Sequence, residues 1–350
     1  MKIAQIAPLW FSIPPEKYGG TERIVHFLTE ELVKRGHDVT LFASGDSKTK
    51  AKLISVTKRG LISRGIPWKD WWWNNFNYSF AFERAKEFDI IHSHWTPMGM
   101  YFQRFTKTPV LHTFHNLPNK SGHRWQIFSY YKKSNAVFIS KKQRKISPVR
   151  FKSEWVVYNG IDINQFKFNE KPKEHFIWIG RISPQKGPET AIEVAEKLGL
   201  NLILAGQLQP MHKDFFEKEI KPHLGRKIKY IGELSQRELS PFYGSALAFL
   251  YPLEWQEPFG LCMVEAMACG TPVIAFNRGS VPEIVSNEKT GFVVPFFDKK
   301  KKKNTGGLIE AVGKIDQIKR RRCRNWVENN FTIKKMVDNY ERIYYKLSRR

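Results

Sequence analysis

The sequence predicts an α/β protein of two doubly wound, mostly parallel-sheet domains, and three observations lead there. Apolar runs of strand length alternate with stretches of helical period along the chain, the pattern of repeated βαβ units. At 350 residues the chain is long for one core and comfortable for two. A polar, Lys- and Asn-rich stretch at 163–174 interrupts the alternation and reads as a linker. The divisions that follow are a domain over 1–165, a second over 166–333, and a closing helix at 334–350 that packs back on the first.

In the first half, residues 2–7 read as a buried strand rather than a signal peptide, because the apolar run is short and lacks a small-residue cleavage site. A helix over 20–35 ends at Gly36, and strands follow at 39–43, 89–93, 109–114, 136–139 and 155–158. The second series runs strand 175–180, helix 187–198, strand 201–205, a helix within 213–223 and strand 228–231. Helix 235–245, strand 248–251, helix 260–269 and strand 272–276 complete it. Toward the end, Met336, Val337, Tyr340, Ile343, Tyr344 and Leu347 recur close to helical period.

Composition is globular, 41% hydrophobic and 26% charged, and no run of eighteen apolar residues is present to span a membrane. Three cysteines, Cys262, Cys269 and Cys323, are odd in number and lack metal-ligand spacing, which suits a reduced, cytoplasmic setting. The formal charge of +25 is spread along the chain, densest at 141–145, 299–303 and 319–324. Each dense run is equally well a solvated face. No helix-turn-helix, RNP or zinc-finger pattern accompanies the charge, so a nucleic-acid partner is disfavoured. Peripheral contact with anionic membrane, at its inner face, suits the charge better.

Residues 257–274, EPFGLCMVEAMACGTPVI, carry the most information. Glu257 and Glu265 stand either side of seven residues, with a Pro-Phe-Gly turn leading into a helix. Gly270 suits the left-handed residue that closes a helix. Gly260 allows close backbone approach, and the new helix offers unpaired N–H groups to an anion at Gly260–Leu261. A phosphate at the helix start with a carboxylate on each side is a constellation for a nucleotide-sugar. Two further loops follow strands, where doubly wound sheets bind ligands. In 14–22, PPEKYGGTE, paired glycines Gly19 and Gly20 open a helix. In 180–187, GRISPQKG, Arg181 offers a planar fork and Lys186 a compact charge to phosphate oxygens.

His115 lies in a third such loop, 112–116, with His112 inside the strand as a core imidazole. His92 and His94 alternate after another strand; a metal pair is conceivable, but no third ligand accompanies them, and no metal is assigned. His94 is a candidate for the acceptor side. Trp68, Trp71, Trp72 and Trp73 fall within six residues. Such a cluster can stack on an acceptor ring, anchor at a membrane or enter the core; Trp71 and Trp72 are the candidates for acceptor contact.

The E-x7-E segment resembles the signature of family 4 retaining glycosyltransferases of the GT-B fold. The Gly-Gly loop, the G-R-x-x-x-x-K-G element, His115 in its Thr-x-His register, the V-Y-N-G-I-D turn at 157–162, and the elements at 278–284 and 290–294 also match, in order. The opening and the stretch PLEWQEPFGL are similar to a bacterial subgroup, the UDP-glucose:tetrahydrobiopterin glucosyltransferase-like proteins. The resemblance implies two Rossmann-like domains facing a cleft, and transfer of a hexose, with retention, from a nucleotide diphosphate sugar (a UDP-sugar favoured) to an acceptor hydroxyl. It implies no metal and no cofactor beyond the donor. Glu257 and His115 would contact the transferred sugar; Gly20, Arg181, Lys186, Phe259, Gly260 and Leu261 would hold the diphosphate side, and Glu265 the ribose. Two alternatives are a transferase acting on lipid or polysaccharide at a membrane surface, and an inactive protein that only binds the nucleotide.

Overall fold

Among the described residues thirteen strands fall into two sheets, parallel throughout. The computed structural model describes residues 1–17, 19–117 and 124–348. One unit comprises residues 1–160 with 333–350, the other 161–332.

In the first unit the strands are β1 (Lys2–Ile6), β2 (Asp38–Phe42), β3 (Lys52–Ile54), β4 (Ile90–Ser93), β5 (Val110–Phe114), β6 (Asn135–Phe138) and β7 (Ser153–Val156), ordered β3-β2-β1-β4-β5-β6-β7. The direction of winding reverses between β1 and β4, so the loops after these two strands and after β5 gather at one edge, where such sheets bind ligands. Helix Gly20–Lys34 follows β1 and buries Ile24, Val25, Leu28 and Leu32. Helix Ile333–Ser348 also belongs to this unit. It buries Met336, Val337, Tyr340, Ile343, Tyr344 and Leu347, each side chain contributing roughly 1.5–3 kcal/mol of gross burial. On its outer side Arg35 pairs with Asp338 at 2.7 Å and with Glu341.

The second unit contains β8 (Phe176–Ile179), β9 (Leu202–Ala205), β10 (Ile228–Tyr230), β11 (Ala248–Tyr251), β12 (Val273–Phe276) and β13 (Gly291–Val294), ordered β10-β9-β8-β11-β12-β13. Here the winding reverses between β8 and β11. The strands that read as unbroken apolar runs, AFLY and VIAF, are buried at every position, as parallel strands covered on both faces must be.

Three local departures have physical causes. The helix expected within 213–223 breaks into an α-helical turn, a π-helical stretch Phe216–Ile220 and a 3-10 turn Lys221–His223, because Pro222 has no N–H to continue the ladder. Helix Trp72–Glu83 starts inside the tryptophan cluster, where crowded aromatics hide the period. Helix Arg320–Asn330 is built from the basic run at 319–324 and buries Cys323 and Val327.

Candidate active site

At the reversal point of the second sheet, the loop after β8 meets the loop after β11. Lys186 ends the first loop and Glu257 lies in the second, and Nζ donates to Oε2 at 2.5 Å. Both side chains are almost buried, at 11% and 10% exposure. Nζ also donates to Tyr251 Oη at 3.0 Å, and sits 4.7 Å from the Trp255 ring centroid. The carboxylate accepts a further bond from Trp255 Nε1 at 2.9 Å. A buried ion pair is sustained only by such additional partners.

The backbone that carries Glu257 is tightly backed. Gly279 has φ +57, and a Cβ there would lie 2.2 Å from the Glu257 nitrogen and oxygen. Ser280 donates its N–H to the Glu257 carbonyl at 2.9 Å and its hydroxyl to the Phe259 carbonyl at 2.7 Å. Gly260, left-handed at φ 85, is the residue before helix Leu261–Ala268, which has no side-chain cap. Its first-turn amides therefore face an incoming group with their own partial positive charge. Gly270, at φ +91, follows the helix in the left-handed conformation the sequence called for.

Arg181, half-buried, makes no ion pair among the described residues. Glu265 is buried and accepts from Tyr243 Oη at 2.9 Å. Phe259 is better described as an anchor of the turn than as a ligand contact, because its ring is 2% exposed and packs 5.9 Å from Phe331. Cys262 is a free thiol one residue into the helix, pushed up to about 12 by burial. Tyr251, Trp255, Gly279 and Ser280 carry no role in the sequence reading; the aromatics of YPLEWQE beside Glu257 are the signal for the first two, and the matched element at 278–284 for the others.

In the first unit, the edge formed by β1, β4 and β5 carries the histidines. His115 is half-buried, and its Nε2 lies 3.1 Å from His94 Nδ1. His94 is 2% exposed and reaches Gln5 Oε1 through Nε2 at 2.7 Å. This corrects the acceptor-lining expectation for His94, which lies too deep to line a surface and instead supports His115. The His92 and His94 rings are 4.0 Å apart, yet the ring nitrogens of both are taken up in hydrogen bonds. Among the described residues no three His, Cys, Asp or Glu side chains converge as a metal site requires. Burial lowers all four histidines: His112 to about 3, His115 to about 4, and His92 and His94 well below the ordinary range. His112 bonds Gln103 Oε1 through Nε2, while its Nδ1 has no partner among the described residues.

In the loop after β1, the conformational demand falls on Gly19 (φ 148), where a Cβ would meet Pro15 at 2.8 Å, while Gly20 is the first helical residue. Tyr18 of that loop lies outside the described residues. Glu22, in the first turn of the same helix, is buried, which raises its carboxyl from 4.5 to about 7. The tryptophans divide. Trp73 is half-buried under Arg64, and Trp68 packs 5.0 Å from Trp10. Trp71 stands edge-on to Trp95 at 5.8 Å, and Trp72 is 81% exposed.

A family model for Glycosyltransferase Family 4 matches residues 18–165, and one for glycosyl transferases group 1 matches 161–325. The chain is a GT4-type glycosyltransferase. It is 25% identical to an uncharacterized glycosyltransferase of Methanocaldococcus jannaschii over 84% of this chain and 85% of that one. It is likewise 25% identical to the glycogen synthase of Mycobacterium tuberculosis over 79% of each. Among solved structures, sucrose-phosphate synthase from Thermosynechococcus elongatus superposes with a TM-score of 0.80 at 22% identity, covering 99% of this chain and 98% of that one. Anabaena HepE, solved with UDP and glucose, gives 0.76 at 18% identity, covering 99% and 100%. The two parallel-sheet units of the glycosyltransferase are those of the GT-B fold. No helix among its described residues is long and apolar enough to cross a membrane.

Proposed function

We propose that the glycosyltransferase moves a hexose from a nucleoside diphosphate donor to an acceptor hydroxyl with retention, without metal, and that a UDP-sugar is the donor. The observation that carries this reading is the Lys186–Glu257 pair at the reversal point of the second sheet, just ahead of an uncapped helix start. In the pair each charge satisfies the other. An arriving diphosphate draws Nζ off Oε2, and the carboxylate oxygen so released accepts from sugar hydroxyls. One exchange of partners thus prepares both ends of the donor. As the glycosidic bond breaks, charge gathers on the leaving diphosphate, and Lys186, Arg181 and the Gly260–Leu261 amides stabilise it more than they stabilise the ground state. Gly20 approaches the phosphate, Glu265 the ribose, and His115 orients the transferred sugar. The UDP preference is supported by the UDP complexes of HepE, a relative in fold alone.

The test is calorimetric titration of UDP, GDP and ADP and their sugars with and without EDTA, followed by NMR of the product anomer with simple alcohol and pterin acceptors. Binding of one nucleotide class that survives EDTA and weakens at least tenfold in Lys186→Met is the expected result. Wild-type turnover in Lys186→Ala would remove the phosphate assignment.

The exposed aromatics favour a second reading for the acceptor, at an anionic membrane surface. Trp72 and Phe76, 81% and 52% exposed, stand four residues apart on one helix face. Flotation with anionic vesicles that is lost in Trp72→Ala supports it; no flotation of wild type rejects it.

A further inference from the structure

His115 is the outer end of an unbroken chain of hydrogen bonds that runs through the first unit to its last helix. His115 Nε2 meets His94 Nδ1 at 3.1 Å, and His94 Nε2 meets Gln5 Oε1 at 2.7 Å. Gln5 Nε2 donates to Tyr344 Oη at 3.0 Å, and Tyr344 Oη meets His92 Nδ1 at 2.7 Å. His92 Nε2 then reaches Thr113 Oγ1 at 2.7 Å, and Thr113 reaches Tyr340 Oη at 3.1 Å. Gln5, Tyr344, His92, Thr113 and Tyr340 are fully buried, and His94 is 2% exposed.

Neutral imidazole has one donor and one acceptor nitrogen, so each link fixes the next. The Gln5 carbonyl oxygen can only accept, which makes His94 Nε2 the protonated nitrogen and Nδ1 the bare one. His94 Nδ1 then accepts, so His115 must carry its proton on Nε2. On the far side the Gln5 amide nitrogen donates to Tyr344, which leaves the Tyr344 proton free to serve His92 Nδ1. Tyr344 thereby holds the Gln5 amide in one of its two orientations; without that hydroxyl the amide can turn over and reverse every link as far as His115. Among the described residues His115 Nδ1 has no hydrogen-bond partner.

We propose that Gln5, His94 and Tyr344 are positioning residues that hold His115 as its Nε2–H tautomer, with Nδ1 presented as an acceptor for a hydroxyl of the transferred sugar. The inference rests on the reading of His115 given under Proposed function. It makes the last helix, 229 residues further along the chain, part of the machinery through Tyr344.

The experiment uses the full chain labelled with 15N-histidine, the His115 signals being assigned by their loss in His115→Gln. Two-bond correlation spectra distinguish protonated from bare ring nitrogens. Wild type should show His115 with Nε2 protonated and Nδ1 bare. Tyr344→Phe should populate the opposite tautomer and lower kcat roughly tenfold, with KM for the donor unchanged, since the loss of about one hydrogen bond corresponds to about that factor. Gln5→Met, which breaks the chain one link nearer, should do the same. Tyr340→Phe removes a comparable buried hydroxyl from the same helix but only the terminal link of the chain, and should leave the His115 spectrum unchanged. A protonated Nδ1 in wild type, or a single unchanged tautomer in both Tyr344→Phe and Gln5→Met, would overturn the proposal. Unimpaired transfer by His115→Ala would instead overturn the sugar-orienting role, while the spectra still judge the relay.

Discussion

Replacing Lys186 by Met tests the proposed donor site, because the cation would serve two ends. Its Nζ is the charged partner of Glu257, and the remaining donors to that carboxylate oxygen are the neutral Tyr251 hydroxyl at 3.4 Å and Trp255 indole at 2.9 Å. With the two side chains 11% and 10% exposed, water cannot replace the lost charge. Removing one member of a buried pair costs about 3–5 kcal/mol, because the other is left uncompensated. In a unit the size of 161–332, that is a fall of roughly 10 °C in Tm. Glu257→Gln leaves the ammonium stranded in turn. The double variant Lys186→Met/Glu257→Gln leaves no charge behind, so its urea-unfolding free energy should lie at least about 2 kcal/mol above the additive value. Transfer should be lost in the single variants and in the double, although the double regains stability. Additive free energies, or a Lys186→Met cost below about 1 kcal/mol, would show that the pair is not the buried, mutually dependent unit described.

Glu22→Gln should separate by pH. A carboxyl raised from 4.5 to about 7 by burial is neutral in the fold, so its stabilising contribution is complete below pH 4.5 and is lost as pH rises through 7. The variant should therefore gain about 3 kcal/mol over wild type between pH 4.5 and 8.5, and equal differences in urea unfolding at the two values would refute the burial argument. The four histidines act in the opposite sense. Their lowered values give stability that is present above pH 6.5 and lost as pH falls toward 4. Each contributes up to about 1.4 kcal/mol per pH unit, so four outweigh one Glu22, and thermal melts should show the first unit weakening from pH 6 to 5. Gly279→Ala should cost more than about 2 kcal/mol and weaken donor binding, from the left-handed φ and the 2.2 Å approach to Glu257. Arg320→Met should cost about 3 kcal/mol in urea unfolding, because its guanidinium donates to Asn169, Ala246, Gly244 and Thr271. Exposed Arg322→Met should stay within about 0.5 kcal/mol.

Where the sequence was legible, a local rule decided the outcome. Buried parallel strands are apolar at every position, so β11 and β12 announced themselves, and the loops after strands were marked by Gly, Arg, Lys and Glu together. Within the site, residue type was readable but partnership was not. Lys186 and Glu257 were both candidates, yet nothing in one dimension says that they neutralise each other 71 positions apart. His94 was misplaced because alternation gives the side of a strand and not its depth. Phe259 enters the site only through the family resemblance, and its ring turns inward to Phe331. The Gln5–Tyr344 bond joins the first strand to the last helix, and no spacing rule reaches that far.

Charge shows the same limit with larger consequences. A count of +25 invites a search for an anionic partner, but some of the basic side chains are engaged within the molecule. Arg320 and Arg324 take up backbone carbonyls of Asn169, Gly244, Ala246, Phe166 and Ala268. Lys303 pairs with Glu254, Arg35 with Glu31, Asp338 and Glu341, and Lys186 with Glu257. A guanidinium held by carbonyls keeps its charge but loses the donors that would grip a phosphate, so it adds to the long-range field without forming a site. An anionic surface would therefore be drawn by the whole protein and held by only part of it. For that reason salt should weaken vesicle association steeply while Trp72→Ala abolishes what remains, and association unaffected by salt would mean that the aromatics act without the charge.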